Sequence, residues 1–308
     1  MSNPEHPNAE PSERAPTLGH RSISRRTFLQ ASLGGVGVAA SSTVPASAAA
    51  AMTSTVRRLV GPQPIGLQLY TVRDLMDSNF EYALQQVAHI GYREVEFAGL
   101  FDHSPKRVAQ IMSKVGLTSP SSHIGLDRLT SNLQGVVEEA KALGNEFVVC
   151  PSVDAARSKD AASWRRVAAE FNRIGESLQR VGLRFAFHNH DTEFKPLPGG
   201  EIGYDILLDE CDPKLVKMEL DLYWITKARR DPLTYFAKWP SRFPLVHVKD
   251  MSGNGAMANV GQGHIDWGRI FDKRREAGVE HFLVERDNPS SPIEDITASY
   301  AYMSRLGL

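Results

Sequence analysis

Several kinds of chemistry are excluded by what this chain does not carry. It has only two cysteines, Cys150 and Cys211, each in or beside an apparent core element, and no C-x-x-C spacing. Thiolate zinc sites and dithiol redox centres are therefore excluded, and a single disulfide is allowed but not demanded. It has no excess of either charge, with 35 Lys and Arg against 36 Asp and Glu. That balance gives no long-range pull on polyanions, so a nucleic-acid partner is not expected. Long apolar runs are missing too: the stretch 31–40 is short and broken by Gly34, Gly35 and Gly37. A permanent membrane anchor is thereby disfavoured.

What is present falls into two parts, a leader over residues 1–51 and a catalytic domain over 60–308. Residues 1–22 are rich in Pro, Ser, Glu and Asn without an apolar period, the composition of a disordered segment. Then follow Ser24-Arg25-Arg26-Thr27-Phe28-Leu29-Gln30, the small apolar run, and Ala46-Ser47-Ala48. Twin arginines, a modest apolar region and an A-x-A site in this order resemble a twin-arginine export signal. The expected partner is the twin-arginine export machinery, and the expected destination is the periplasm or the medium. That route carries proteins already folded, often around a cofactor, which is consistent with a metal loaded in the cytoplasm.

From Ile65 onward one unit recurs: an amphipathic helix, a glycine, then a short β-rich run. Gly91, Gly116, Gly144, Gly182 and Gly278 mark five such joints, since glycine suits the left-handed position past a helix end. Strands are expected at 65–70, 94–97, 118–123, 147–150, 184–188, 216–220, 245–248 and 282–285. Helices are expected at 80–90, 105–115, 131–143, 161–181, 204–210, 232–239, 267–277 and 292–305. Trp164, Val167, Ala168, Phe171, Ile174 and Leu178 make one apolar stripe, read as packing against strands. Eight alternating units predict an α/β fold, a (β/α)8 TIM barrel. A doubly wound sheet would show a glycine-rich phosphate loop after its first strand, which is lacking here, and the lone G-x-G at Gly261 and Gly263 opens no nucleotide-binding unit.

In a barrel of this kind the active site lies at the C-terminal strand ends. Those ends carry Gln68 and Tyr70, Glu96, His123, Cys150, the pair His188 and His190, Glu219 and Asp221, His247 and Lys249, and Glu285 with Asp287. His188 and His190 alternate to the same strand face. An isolated H-x-H is more often one core and one solvated residue; the other strand ends argue otherwise. Glu219 and Asp221 lie in an apolar strand and are costly there without positive partners. A bound cation or a cluster of His, Lys and Arg would compensate them. Asp221, His247 and Glu285 come from three successive strands, and an imidazole of the fifth strand would complete a ligand set. Mixed carboxylate and imidazole ligation suits Mn(II), Fe(II), Co(II) or Zn(II). Mn(II) is favoured, and Mg(II) is also admitted.

The runs GLQLYTVRD, EVEFAG, SSHIGLDRL, FAFHNHDTEF, MELDLYW, PLVHVKDM and FLVERDN together resemble the sugar phosphate isomerase/epimerase group of the xylose-isomerase-like TIM barrels. The similarity runs over nearly all of 65–308, and its motifs define the family without defining one reaction. The resemblance implies a divalent metal on Asp221, His247 and Glu285. His188 stands where many relatives carry Glu, so an imidazole of His188 or His190 supplies the remaining ligand. With His188 as ligand, His190 becomes a candidate acid or base alongside Glu96, His123 and Lys249; Gln68, Tyr70 and Trp224 are candidates for binding substrate.

The chemistry expected is proton abstraction next to a sugar carbonyl with a metal-stabilised enediolate, leading to isomerisation, epimerisation, or elimination from a 3-keto-glycoside. An exported protein is expected to meet an unphosphorylated sugar, cyclitol or keto-glycoside. Two other classes share the features read so far. A non-catalytic carbohydrate-binding protein would use Tyr70, Phe97, Tyr223 and Trp224 for stacking, and an endonuclease-type phosphodiesterase would need a basic groove. Oligomeric state is left open, a homo-oligomer being compatible with the sequence.

Overall fold

The computed structural model describes residues 63–307. The leader and its export signal lie outside the described residues. Eight strands form a closed parallel barrel: Ile65–Gln68, Glu94–Phe97, Thr118–His123, Phe147–Cys150, Arg184–His188, Val216–Asp221, Leu245–Val248 and His281–Val284. Each pairs with its sequence neighbours, and the first closes on the eighth through Ile65 opposite Phe282. The (β/α)8 expectation is thus met.

The joints follow the glycines. Gly116, Gly144, Gly182 and Gly278 have φ between 76° and 82°, and Gly91 has φ 129°. At Gly278 the constraint is also spatial, because an added Cβ would stand 2.8 Å from the Cα of Ser241. At the other end of the helices, Ser104 caps Pro105–Val115 by accepting from the Arg107 N–H, and Asp160 caps Ala161–Gln179 through Ser163. Short polar side chains at these positions satisfy amides that the helix leaves open.

Two apolar layers result. The larger lies between strands and helices, where Trp164, Val167, Phe171, Ile174 and Leu178 of the fourth long helix are all buried. The smaller fills the barrel itself with Phe147, Val149, Ala186, Leu245 and Leu283. The period of two along a strand then positions the chemistry. Two residues past Ala186 comes His188, two past Leu245 comes His247, and two past Leu283 comes Glu285. An inward apolar plug is thus followed by an inward polar group one layer higher.

Differences from expectation are local. The first strand ends at Gln68 rather than at 70, because Leu69–Val72 turns into a 3-10 helix whose Tyr70 amide donates to the Gln68 side chain. Leu126–Ser131 and Leu222–Lys227 are additional short helices, the second capped by Asp221 accepting from Tyr223 and Trp224. The stretch 267–277 is two pieces, Trp267–Phe271 and Arg274–Ala277. Both cysteines are buried and unbridged. Among the described residues no helix is long and apolar enough to cross a membrane.

Candidate active site

At the C-terminal mouth of the barrel a cavity of about 600 Å³ is lined by Tyr70, His123, His188, His190, Lys249, Glu285, Asp287 and Asn288, with Ala98, Gly125 and Pro151. Gln68, Glu96, Asp221, His247 and Trp224 are not on its wall. The first four are fully buried directly beneath or behind it. Trp224 is half-buried, its ring 5.4 Å from that of His190.

The organising atom of the floor belongs to Glu219, a strand-end carboxylate to which the sequence assigned no role. Glu219 Oε2 lies 2.7 Å from His123 Nε2, 3.2 Å from His247 Nε2 and 3.2 Å from His188 Nδ1. Glu96 Oε1 stands beside it, accepting from Gln68 Nε2 at 2.7 Å and pairing with His247 Nε2 at 2.8 Å and His123 Nε2 at 3.1 Å. Gln68 therefore holds a carboxylate rather than facing the cavity. A carboxylate in an apolar strand was the sequence signal for Glu219, but its three imidazole partners come from other strands.

These contacts fix the charges. Burial would keep His123 neutral, yet Glu96 and Glu219 outweigh it and carry its pKa up to about 10. His247 is raised well above the usual range against burial by Glu219 and Glu285. His188 goes the other way: burial, then the neighbouring His247 charge, hold it well below the usual value and so neutral. Burial and Glu96 work to raise Glu219, but His247 and His123 bring it down to about 2.

The second layer is the ligand-like group. Donor atoms of Asp221, His247 and Glu285 all lie within 4.8 Å of one another. His247 Nδ1 is 2.8 Å from Glu285 Oε2 and 4.0 Å from Asp221 Oδ2, and His188 Nε2 is 4.0 Å from the same Asp221 oxygen. Lys249 Nζ also reaches this group, at 3.0 Å from Asp221 Oδ2, 2.7 Å from Glu285 Oε2 and 2.7 Å from Asp287 Oδ1. An ammonium rather than an arginine thus neutralises part of the cluster, and it is 1 % exposed.

Do these residues fit a divalent ion? Asp221 Oδ2 is buried without a hydrogen-bond partner, the Lys249 ammonium being near but unaligned. Asp221 Oδ1 meanwhile accepts from the Tyr223 and Trp224 amides, and the Asp221 N–H donates to Asn189, so the carboxylate is held with one oxygen turned inward. His247 presents Nδ1 to the group while Nε2 is held by carboxylates, the arrangement that supports a metal-ligating imidazole. His188, Asp221, His247 and Glu285 accordingly fit a divalent cation by donor type and by the orphaned oxygen. His190 is offset from that set: its ring lines the cavity between His188 and Trp224, and its backbone N–H donates to Glu193 at 2.8 Å.

A closed parallel barrel with a carboxylate and imidazole cluster at its C-terminal mouth defines the class. The sequence model of the Xylose isomerase-like TIM barrel family matches residues 81–306, and the chain belongs to that family. An inosose dehydratase of Lacticaseibacillus casei is 23% identical over 266 residues, 73% of this chain and 88% of that one. Among solved structures, a sugar phosphate isomerase/epimerase from Parabacteroides distasonis aligns with TM-score 0.69 and 24% identity over 81% of this chain and 96% of that one. The IolI protein, solved with a bound zinc atom, aligns with TM-score 0.63 and 15% identity over 79% of this chain and 98% of that one.

Proposed function

We propose that this protein is a divalent-metal-dependent carbohydrate enzyme that moves a proton next to the carbonyl of a sugar, cyclitol or keto-glycoside, with isomerisation, epimerisation or elimination as the outcome. The observation that carries this reading is the meeting of Asp221, His247 and Glu285, with His188 beside them, around an inward carboxylate oxygen that lacks a hydrogen-bond partner. The inosose dehydratase relative and the zinc in the IolI structure support it by similarity.

His188, Asp221, His247 and Glu285 would hold the ion. When bound, it supplies Lewis acidity toward a carbonyl and a neighbouring hydroxyl. The chain's own groups divide the remaining work. His123, kept cationic by Glu96 and Glu219, lines the cavity as a fixed positive donor suited to a developing oxyanion. His190, on the wall and outside the carboxylate cluster, is placed to take and return a proton. Lys249 is too firmly held in its cationic form by Asp221, Glu285 and Asp287 to act as a base, and serves as a buried countercharge. Trp224 braces the His190 ring, and Tyr70, 43% exposed, stands at the mouth where an aromatic face can stack on a sugar.

Mn(II) is proposed as the resident ion. Export of the mature protein by the twin-arginine route is part of the same reading. Replacing Arg25 and Arg26 with Lys should retain the protein in the cytoplasm, and unchanged export would refute this. For the enzyme, elemental analysis of the purified protein should find one divalent ion per chain. Asp221→Ala and Glu285→Ala should each lose that ion and the exchange of solvent deuterium into a keto-sugar. Persistence of both properties in either variant would overturn the proposal.

A further inference from the structure

We infer that Glu193 is the positioning residue that sets His190 apart from its neighbour His188, leaving one imidazole of the pair to the cation and the other to the proton. The inference rests on the enolising reading above and names the residue that divides its work.

On a strand continued past His188, side chains two residues apart would stand on one face, roughly 6–7 Å from each other, and both rings could turn toward the same ion. The strand stops at His188 instead, and a 3-10 turn follows at Thr192–Phe194. The two rings end 5.1 Å apart with their planes at 79°, and among the described residues His190 joins none of the donor groups. Its ring lies against Trp224, at 5.4 Å.

Two side chains hold this bend. Asn189, fully buried between the histidines, accepts from the Asp221 N–H at 3.0 Å and ties the turn to the sixth strand. Glu193 Oε2 accepts from the His190 N–H at 2.8 Å and from the Thr192 hydroxyl at 3.1 Å. Phe194 anchors the far side, its ring 4.7 Å from that of Tyr204 and 5.6 Å from that of Tyr235.

The cost of its place marks Glu193 as more than a turn residue. It is 5% exposed, and among the described residues it pairs with no cation. A buried carboxylate without a countercharge is expensive, and a serine or asparagine closes an ordinary turn without that cost. Its acceptor oxygen is spent on the backbone of the cavity-wall residue assigned to the proton. A charge-assisted bond is about twice as strong as a neutral one, so it fixes the Cα from which the His190 ring projects. Proton transfer depends on placement to within about an ångström, and a side chain that never touches substrate controls it through that Cα.

The test uses the metal-loaded protein and follows exchange of solvent deuterium into a panel of ketohexoses and 3-keto-glycosides by NMR. Glu193→Asp keeps the charge but draws the carboxylate back by one methylene, out of reach of the amide; Glu193→Gln keeps the reach without the charge. The saturated exchange rate should fall about thirtyfold in Glu193→Ala and about tenfold in Glu193→Asp, and Glu193→Gln should restore it to within about threefold of wild type. KM and metal content should change by less than about twofold in all three. In a His190→Ala background, Glu193→Ala should cost nothing further, because it acts through that ring. The crystal structure of Glu193→Asp should show the His190 ring moved off Trp224. An equal loss from Glu193→Ala in both backgrounds, loss of metal along with the rate, Glu193→Gln as slow as Glu193→Ala, or an unmoved ring overturns the inference. If Glu193→Ala fails to fold, Glu193→Asp takes its place in the cycle. Reduced exchange in His190→Ala with full exchange in Glu193→Asp refutes this inference alone. Full exchange in His190→Ala, or none in the wild type, refutes the proton chemistry proposed above, and the ring position then decides whether Glu193 places His190.

Discussion

The two ends of the barrel interior use the same residue types to opposite effect. At the N-terminal end, Glu94 Oε2 pairs with His281 Nδ1 at 2.7 Å, and Arg184 binds both oxygens of Glu280 at 2.7 and 2.8 Å while covering the Phe147 ring. Glu146, Glu280 and His281 even bring donor atoms within 4.8 Å of one another, as the groups at the other end do. Yet Glu280 there has an arginine and Glu94 a histidine, so each of these acids is matched. At the C-terminal end the match is incomplete: Glu96 Oε2, Glu219 Oε1 and Asp221 Oδ2 are buried without a hydrogen bond. A cluster of acids and imidazoles becomes a candidate site through unmatched polar atoms, which are costly to bury and are retained where a ligand or an ion supplies the remainder.

The comparison can be broken most directly with Asp221→Ala or Glu285→Ala. Loss of metal and of proton exchange to background, by elemental analysis and NMR, is the expected result for the upper end alone. Next in size is Glu219→Ala, which removes the hydrogen-bond acceptor of His123 and the carboxylate that His188 and His247 flank at 3.2 Å. Removing one partner of a buried ionic network should cost about 3–5 kcal/mol, measured by urea unfolding. The matching change below, Glu94→Gln, should cost about 1–3 kcal/mol while deuterium exchange stays at the wild-type rate. A comparable loss of exchange from Glu94→Gln would erase the distinction between the two ends.

The pH dependence of the metal-free protein gives a smaller test. Glu219 drops from 4.5 to about 2 on folding, so the stability it contributes is present above pH 4.5 and is lost as pH falls through about 2. His123 rises from 6.5 to about 10, so its contribution is complete below pH 6.5 and is lost as pH climbs through about 10. Urea midpoints should therefore be highest between these limits, and His123→Gln should flatten the alkaline limb. An alkaline limb of unchanged slope in that variant would show that His123 is not the group responsible.

Much of this was legible along the chain because barrel geometry is written in local patterns. The strands Glu94–Phe97, Thr118–His123, Phe147–Cys150, Arg184–His188 and Leu245–Val248 were readable to their ends, each bounded by a glycine joint or a change of period. His188, Asp221, His247 and Glu285 were readable as inward strand-end residues because alternation leaves no other face for them. The helix Leu222–Lys227 was not, since it starts on a cap supplied by Asp221, a residue that pattern alone assigns to chemistry. Nor did the glycines at 261 and 263 reveal their role, which is to donate their amides to the Asp250 carboxylate more than ten residues earlier.

The sequence by itself determined the eight-fold repeat, the inward alternation and the identity of the groups at the barrel mouth, because these depend on neighbours two to four residues away. Only the tertiary structure decided which groups share a proton or a charge. Glu219 among three imidazoles, Lys249 among three carboxylates and Asp250 in its ring of amides are meetings between separate strands and loops. Coulomb and hydrogen-bond energies depend on distance in space, and closure of the barrel alone sets those distances.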